Sequence, residues 1–161
     1  MRIPIPALLL SFLVISPLRG QTGNVASQTL SLEVKPVSTL SVSGSPAPFI
    51  ISSIEAGVGE LKAEDRSTRY AITSNRNNMK LAVSIDAPMP AGTKLLVSML
   101  SSKGLSRGPV DISRAADPVD AVTGIGRGSD SEQEIVYTLI ADASVGPVPP
   151  QSRVITLTLT D

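Results

Sequence analysis

From Thr29 to the last residues of the chain, aliphatic and polar residues alternate with a period of two, and this pattern constrains the fold more than any other feature. Successive side chains of an extended strand point to opposite faces, so the pattern describes half-buried strands rather than amphipathic helices. Leu30, Leu32 and Val34 alternate with Ser31 and Glu33, and Leu40 and Val42 flank Ser41. Met79, Leu81, Val83 and Ile85 alternate with Lys80, Ala82 and Ser84, while Ile155, Leu157 and Leu159 alternate with Thr156, Thr158 and Thr160. Phe49 to Ile51, Leu95 to Val97 and Ile135 to Ile140 are apolar on both faces, as buried central strands are.

Strand-breaking clusters separate these runs. They are Ser43 to Pro46, Ser74 to Asn78, Ala87 to Gly92 and Val145 to Pro150, where Pro fixes φ and Gly or Asn tolerates positive φ. About eight strands at this spacing predict an all-β fold, an antiparallel β-sandwich. There is no convincing helical periodicity, and the only helix candidate, around Gly57 to Asp65, is short; short strands with long loops are expected from Ser101 to Ser131. Hydrophobic residues make up 42% of the chain and aromatic residues only 2%, so the core must be mostly aliphatic, as pleated sheets favour. Tyr70 and Tyr137 both fall inside strands, where a core ring with its hydroxyl at the rim is expected. No linker divides the chain, and 161 residues suit one domain.

The N-terminus reads as an export signal. Met1-Arg2 starts positively, and the apolar stretch from Ile3 to Leu18 is shorter than a spanning helix and is interrupted by Pro4, Pro6 and Pro17, with retention as an anchor the competing expectation. Gly20 before Gln21, or Val25-Ala26-Ser27 before Gln28, supplies small residues for cleavage. The expected division is a leader over residues 1–27, cleaved between 20 and 27, and a single β-sandwich domain over 28–161. No integral membrane segment is expected after cleavage, and the product is placed outside the cytoplasm: extracellular, at the cell surface or in the periplasm.

Chemistry is sparse. The chain has neither His nor Cys, which removes the usual general base near neutral pH, thiolate nucleophiles, disulfides and the commonest transition-metal ligands. A Ser-His-Asp triad is impossible, and Lys103, after Ser101 and Ser102 in a Gly-containing loop, stays solvated and protonated. Gly124, Gly126 and Gly128 resemble a phosphate loop superficially, but a strand follows instead of the helix N-terminus that would aim amides at phosphate. Asp130, Glu132 and Glu134 offer carboxylates, though not at calcium-loop spacing, and their alternation describes a solvated strand face. No catalytic residue, metal or cofactor is therefore expected. Charge is balanced at 14 basic against 14 acidic residues. The lack of a basic block argues against nucleic acid as a partner, and loss of the leader would leave an acidic excess of about two charges, which argues against anionic membranes.

Two passages carry a resemblance. Tyr70 to Asn75, leading through Met79 to Ile85 and Met89 to Thr93, is similar to a strand-turn-strand passage of secreted bacterial β-sandwich proteins. Ile135 to Leu139, followed by a Pro/Gly-rich turn and Arg153 to Asp161, is similar to another. Together they resemble the pilin-like and spore-coat-U-like proteins, and the resemblance implies an Ig-like or pilin-like sandwich with a structural role at the surface. Polymerisation would add a strand of one subunit to the sheet edge of the next, so the expected partners are copies of the chain or related surface subunits. Thr29 to Val37, with its stripe of Leu30, Leu32 and Val34, is the candidate contact strand; the competing expectation makes it the first strand of its own sheet. The alternative function is a monomeric secreted module binding a glycan or protein through end loops that contain Asn75, Arg76, Asn77, Asn78, Arg127 and Asp130.

Overall fold

A computed structural model describes residues 27–53, 55–114 and 117–161. Residues 1–26 of the expected leader lie outside these. The chain divides into Met1–Glu33 and Val34–Asp161. Residues 27–33, the described part of the first unit, contain no strand.

The second unit is all-β, and no helix occurs among the described residues. Its strands are β1 (Ser38–Ser43), β2 (Glu60–Ser74), β3 (Met79–Ile85), β4 (Thr93–Met99), β5 (Leu105–Ser106), β6 (Val110–Asp111), β7 (Val119–Ile125), β8 (Gly128–Asp142) and β9 (Ile155–Thr160). They form two antiparallel sheets, ordered β1-β2-β8-β4-β6 and β5-β7-β3-β9, an arrangement consistent with a β-sandwich.

The period of two becomes a core where the sheets face each other. Tyr70 and Ile72 of β2, Leu95, Val97 and Met99 of β4, and Ile135 and Tyr137 of β8 come from one sheet. Met79, Leu81, Val83 and Ile85 of β3 with Ala121, Val122 and Ile125 of β7 come from the other. The long strands β2 and β8 pair along most of their length, with register shifts between Asp65 and Thr68 and between Tyr70 and Ile72. At the first shift Asp65 accepts hydrogen bonds from the Ser67 N–H and hydroxyl at 3.2 and 2.8 Å, stabilising the irregular backbone there.

Three expectations of secondary structure need correction. The helix candidate at Gly57 to Asp65 is instead a turn leading into β2 from Glu60, because Leu61 and Ala63 alternate with Lys62 and Glu64 and pair with β8. Helix-forming residue types yield there to tertiary pairing. Phe49 to Ile51 is not a strand: Phe49 packs against the core, yet Ile50 is 78% exposed. Pro46 and Pro48 lack the N–H groups that a ladder requires. Thr29 to Val37 forms no strand either, so it is not the first strand of its own sheet.

Tyr70 and Tyr137 are core residues, 1% and 3% exposed, and the Tyr70 hydroxyl donates to the Leu100 carbonyl. Burial, with the Asp130 carboxylate adding to it, pushes Tyr70 from 10.0 up to about 12. Burial, with a smaller contribution from Asp65, does the same for Tyr137, also to about 12. Unfolded tyrosine ionises near 10, so the stability these rings hold is intact below that pH and is lost as pH rises towards 12. Because the chain has two Tyr and no Trp, phenolate absorbance reads these rings alone. The folded protein is expected to show little phenolate at pH 10.5, against more than half in denaturant. Equal titration in both states would contradict the buried placement.

Candidate assembly surface

The contact segment proposed by the sequence is exposed. Leu30, Leu32 and Val34 have 78, 84 and 86% of their surface accessible, an unusual condition for three aliphatic side chains in alternation. Immediately after them the chain is held. The Asn75 N–H donates to the Val37 carbonyl at 3.1 Å, the Val37 N–H donates to Asn75 Oδ1 at 2.8 Å, and Asn75 Nδ2 donates to the Lys35 carbonyl at 2.8 Å. These bonds continue the β1–β2 ladder beyond its Ser38–Ser74 pair, so residues 35–37 run in line with β1.

The sheet edges differ in how they are defended against added strands. β5 and β6 have only two residues each, and the half of β2 beyond β1 carries Glu60, Lys62 and Glu64. Short strands and charged side chains are the usual protection of an edge. β1 and β9 have neither device: both are six residues long and contain only Ser, Thr, Leu, Val and Ile. They contact each other across the two sheets. β9 ladders only with β3 among the described residues, leaving the backbone groups of its other edge without a strand partner.

Apolar burial is also incomplete on this side. Leu81 and Val83 in β3 are fully buried, whereas Ile155, Leu157 and Leu159 of β9 and Leu40 of β1 are only partly buried against the same core. Val42 of β1 is 46% exposed. An additional aliphatic strand laid along this side would cover these groups and satisfy the open ladder at once.

The predicted binding-loop residues are mostly occupied within the fold. Asn75 holds residues 35–37 as described, and Arg76 forms an ion pair with Asp161. Asn77 and Asn78 are exposed in the β2–β3 turn, Asn78 at φ 59°, and Arg127 is exposed between β7 and β8. Asp130 corrects the expectation of an exposed loop or solvated strand face, being only 2% exposed. Its carboxylate accepts from the hydroxyls of Ser101 and Ser102 at 2.6 and 2.7 Å, and from the Ser102 and Lys103 N–H groups at 3.1 and 3.4 Å. A buried carboxylate needs such donors to offset its lost hydration, and here they bind the 101–104 loop to β8. Glu134 pairs with Arg66 and Arg69 at 3.0 and 3.3 Å.

A groove of about 740 Å³ lies at one end of the sheets, with Lys94, Asp111, Ser113, Arg114 and Asp142 among its lining residues. Burial opposes ionisation of Asp111, but hydrogen bonds from the Ser113 hydroxyl and N–H, with the charges of Lys94 and Arg114, outweigh it and hold the carboxyl below its ordinary 3.8. Asp142 is likewise lowered, mainly by the Ser144 hydroxyl and N–H. These two carboxylates remain ionised and cap local turns, so neither is poised to donate or take a proton near neutrality. No group of three or more potential metal-ligating side chains stands together among the described residues. Nor does any described helix have the length and apolarity to cross a membrane.

Sequence reasoning missed the Asn75 clamp and the burial of Asp130, both of which depend on partners distant along the chain. Comparison with known protein families, curated proteins and solved structures found no match.

Proposed function

We propose that the protein is a non-catalytic structural component of the bacterial cell surface or of an extracellular filament. It is a pilin-like subunit with an Ig-like sandwich, exported by its N-terminal leader and joined to copies of itself or to related subunits by strand addition. The observation that carries this reading is that one chain has both an exposed aliphatic stripe, Leu30, Leu32 and Val34, and an undefended β9 edge with partly buried Ile155, Leu157 and Leu159. Donor and acceptor share the same period of two, and Thr29 to Val34, when extended, would match the six residues of β9. The reading in which end loops recognise a glycan or protein has less support, because Asn75, Arg76 and Asp130 already serve internal contacts.

Removal of residues through Lys35 tests the proposal. The truncated domain is expected to keep its far-ultraviolet circular dichroism and cooperative unfolding while losing concentration-dependent growth in light scattering. A truncated protein that still assembles, or one that no longer folds, would contradict donation by this segment.

A further inference from the structure

We propose that Asn75 is a latch that delivers the Leu30–Val34 stripe to a second copy by preventing the chain from closing on its own β9 edge; this inference rests on the strand-donation reading. The three hydrogen bonds of Asn75 hold residues 35–37 in line with β1. β1 enters the sheet with Ser38 opposite Ser74, at the end of the domain where the β2–β3 turn lies. β9 finishes at that same end, with Lys80 opposite Thr160 and Arg76 paired to Asp161. Residues 35–37 therefore enter β1 from this end. For a stripe that includes Val34 to lie along β9 of the same copy, the chain would have to reverse direction within residues 35–37.

Two features oppose that reversal. Asn75 bonds both the Lys35 carbonyl and the Val37 N–H, fixing the residues where the bend would form. Pro36 between them has its φ restricted near −65°, and Lys35 before it is confined to extended conformations. Pro36 limits the available bends, and Asn75 removes those that remain.

The latch matters because of competition between two copies of one reaction. A donor tethered through a short flexible linker meets its own edge at an effective concentration on the order of millimolar. A second copy at micromolar concentration would lose to self-closure by about a thousandfold if both geometries were open. Assembly of an unpartnered subunit therefore requires a device that penalises closure. Asn75 supplies it from outside the donor and outside the acceptor edge.

The test compares the full chain with Asn75→Ala and Asn75→Asp by size-exclusion chromatography with light scattering over a wide concentration range. Asn75→Ala removes both side-chain bonds; Asn75→Asp retains an acceptor for Val37 but loses the donor to Lys35. Asn75→Ala is expected to raise the concentration at which mass increases by about tenfold, with Asn75→Asp between it and the parent. The monomer fraction is then digested with a glutamate-specific protease. Cleavage after Glu33 should be rapid in the parent and slowed in Asn75→Ala, since a closed donor is protected. A role confined to stability would leave that bond equally cleavable.

Unchanged assembly of Asn75→Ala, or a monomer without protection at Glu33, would overturn the latch. The variant lacking residues through Lys35 separates the two levels. If that truncation abolishes assembly while Asn75→Ala matches the parent, donation stands and the latch fails; if the truncation assembles normally, the donation reading itself fails.

Discussion

Leu81→Ala is expected to destabilise the domain by about 4 kcal/mol, within the range for emptying a fully buried leucine site. Leu81 has 0% of its surface exposed and sits in β3 between Val122 of β7 and Leu159 of β9. Strands on both sides hold the cavity walls in place, so the site cannot collapse to recover contacts. Urea denaturation followed by circular dichroism should show a lower midpoint with an unchanged slope. The same truncation at Leu159, on the edge and only partly buried, should cost the isolated domain about 1–2 kcal/mol, because less surface leaves water there on folding. Equal losses at the two positions would show that β9 is as enclosed as β3 and would remove the incompletely covered side on which the assembly reading depends.

Asp130→Ala is expected to cost about 3 kcal/mol, although the position is polar and close to a turn. The substitution removes a buried acceptor from two hydroxyls and two backbone N–H groups. A fully buried donor left without its partner costs about 1–3 kcal/mol, and each of these costs less because Ser102 and Lys103 are exposed and water reaches the vacated space. Asp130→Asn should recover much of the loss: with its amide oxygen in place of Oδ2 it still accepts from the Ser101 hydroxyl and the Ser102 and Lys103 N–H groups, and the Ser102 hydroxyl rotates to accept from the new amide N–H. Hydrogen exchange would locate the effect, with faster exchange at Ser102 to Gly104 in Asp130→Ala. A loss below about 1 kcal/mol would mean that the 101–104 loop does not depend on this carboxylate.

The parts of the fold that could be read from the sequence are those where one strand face meets the core and the other meets solvent. Met79 to Ile85 and Ile155 to Thr160 belong to this class and became β3 and β9. β7 was hidden because its pairing with β3 shifts register between Met79 and Leu81 and again between Leu81 and Ala82, which breaks the simple alternation. The Leu30, Leu32 and Val34 stripe presents the opposite case, a strand pattern without a strand. Periodicity records which faces a segment can bury, but not whether a partner lies within the same chain. That difference made the segment legible as a contact element and left its place in the fold open.

Within the candidate site, the β9 edge was legible as a strand but not as an edge, since strand order depends on pairings distant in sequence. Asp130 lies between Ser129 and Ser131 and reads as part of an end loop or a solvated strand face; only the approach of the Ser101 to Gly104 loop makes it a buried anchor. Asn75 likewise reads as a turn residue until residues 35–37 are brought alongside it.

The measurement that tests the central claim most directly is the mass of the intact protein by size-exclusion chromatography with light scattering, over a concentration range of at least a hundredfold. A strand-sharing subunit is expected to grow from monomer into dimers and higher species as concentration rises. A strict monomer across the whole range would contradict the account.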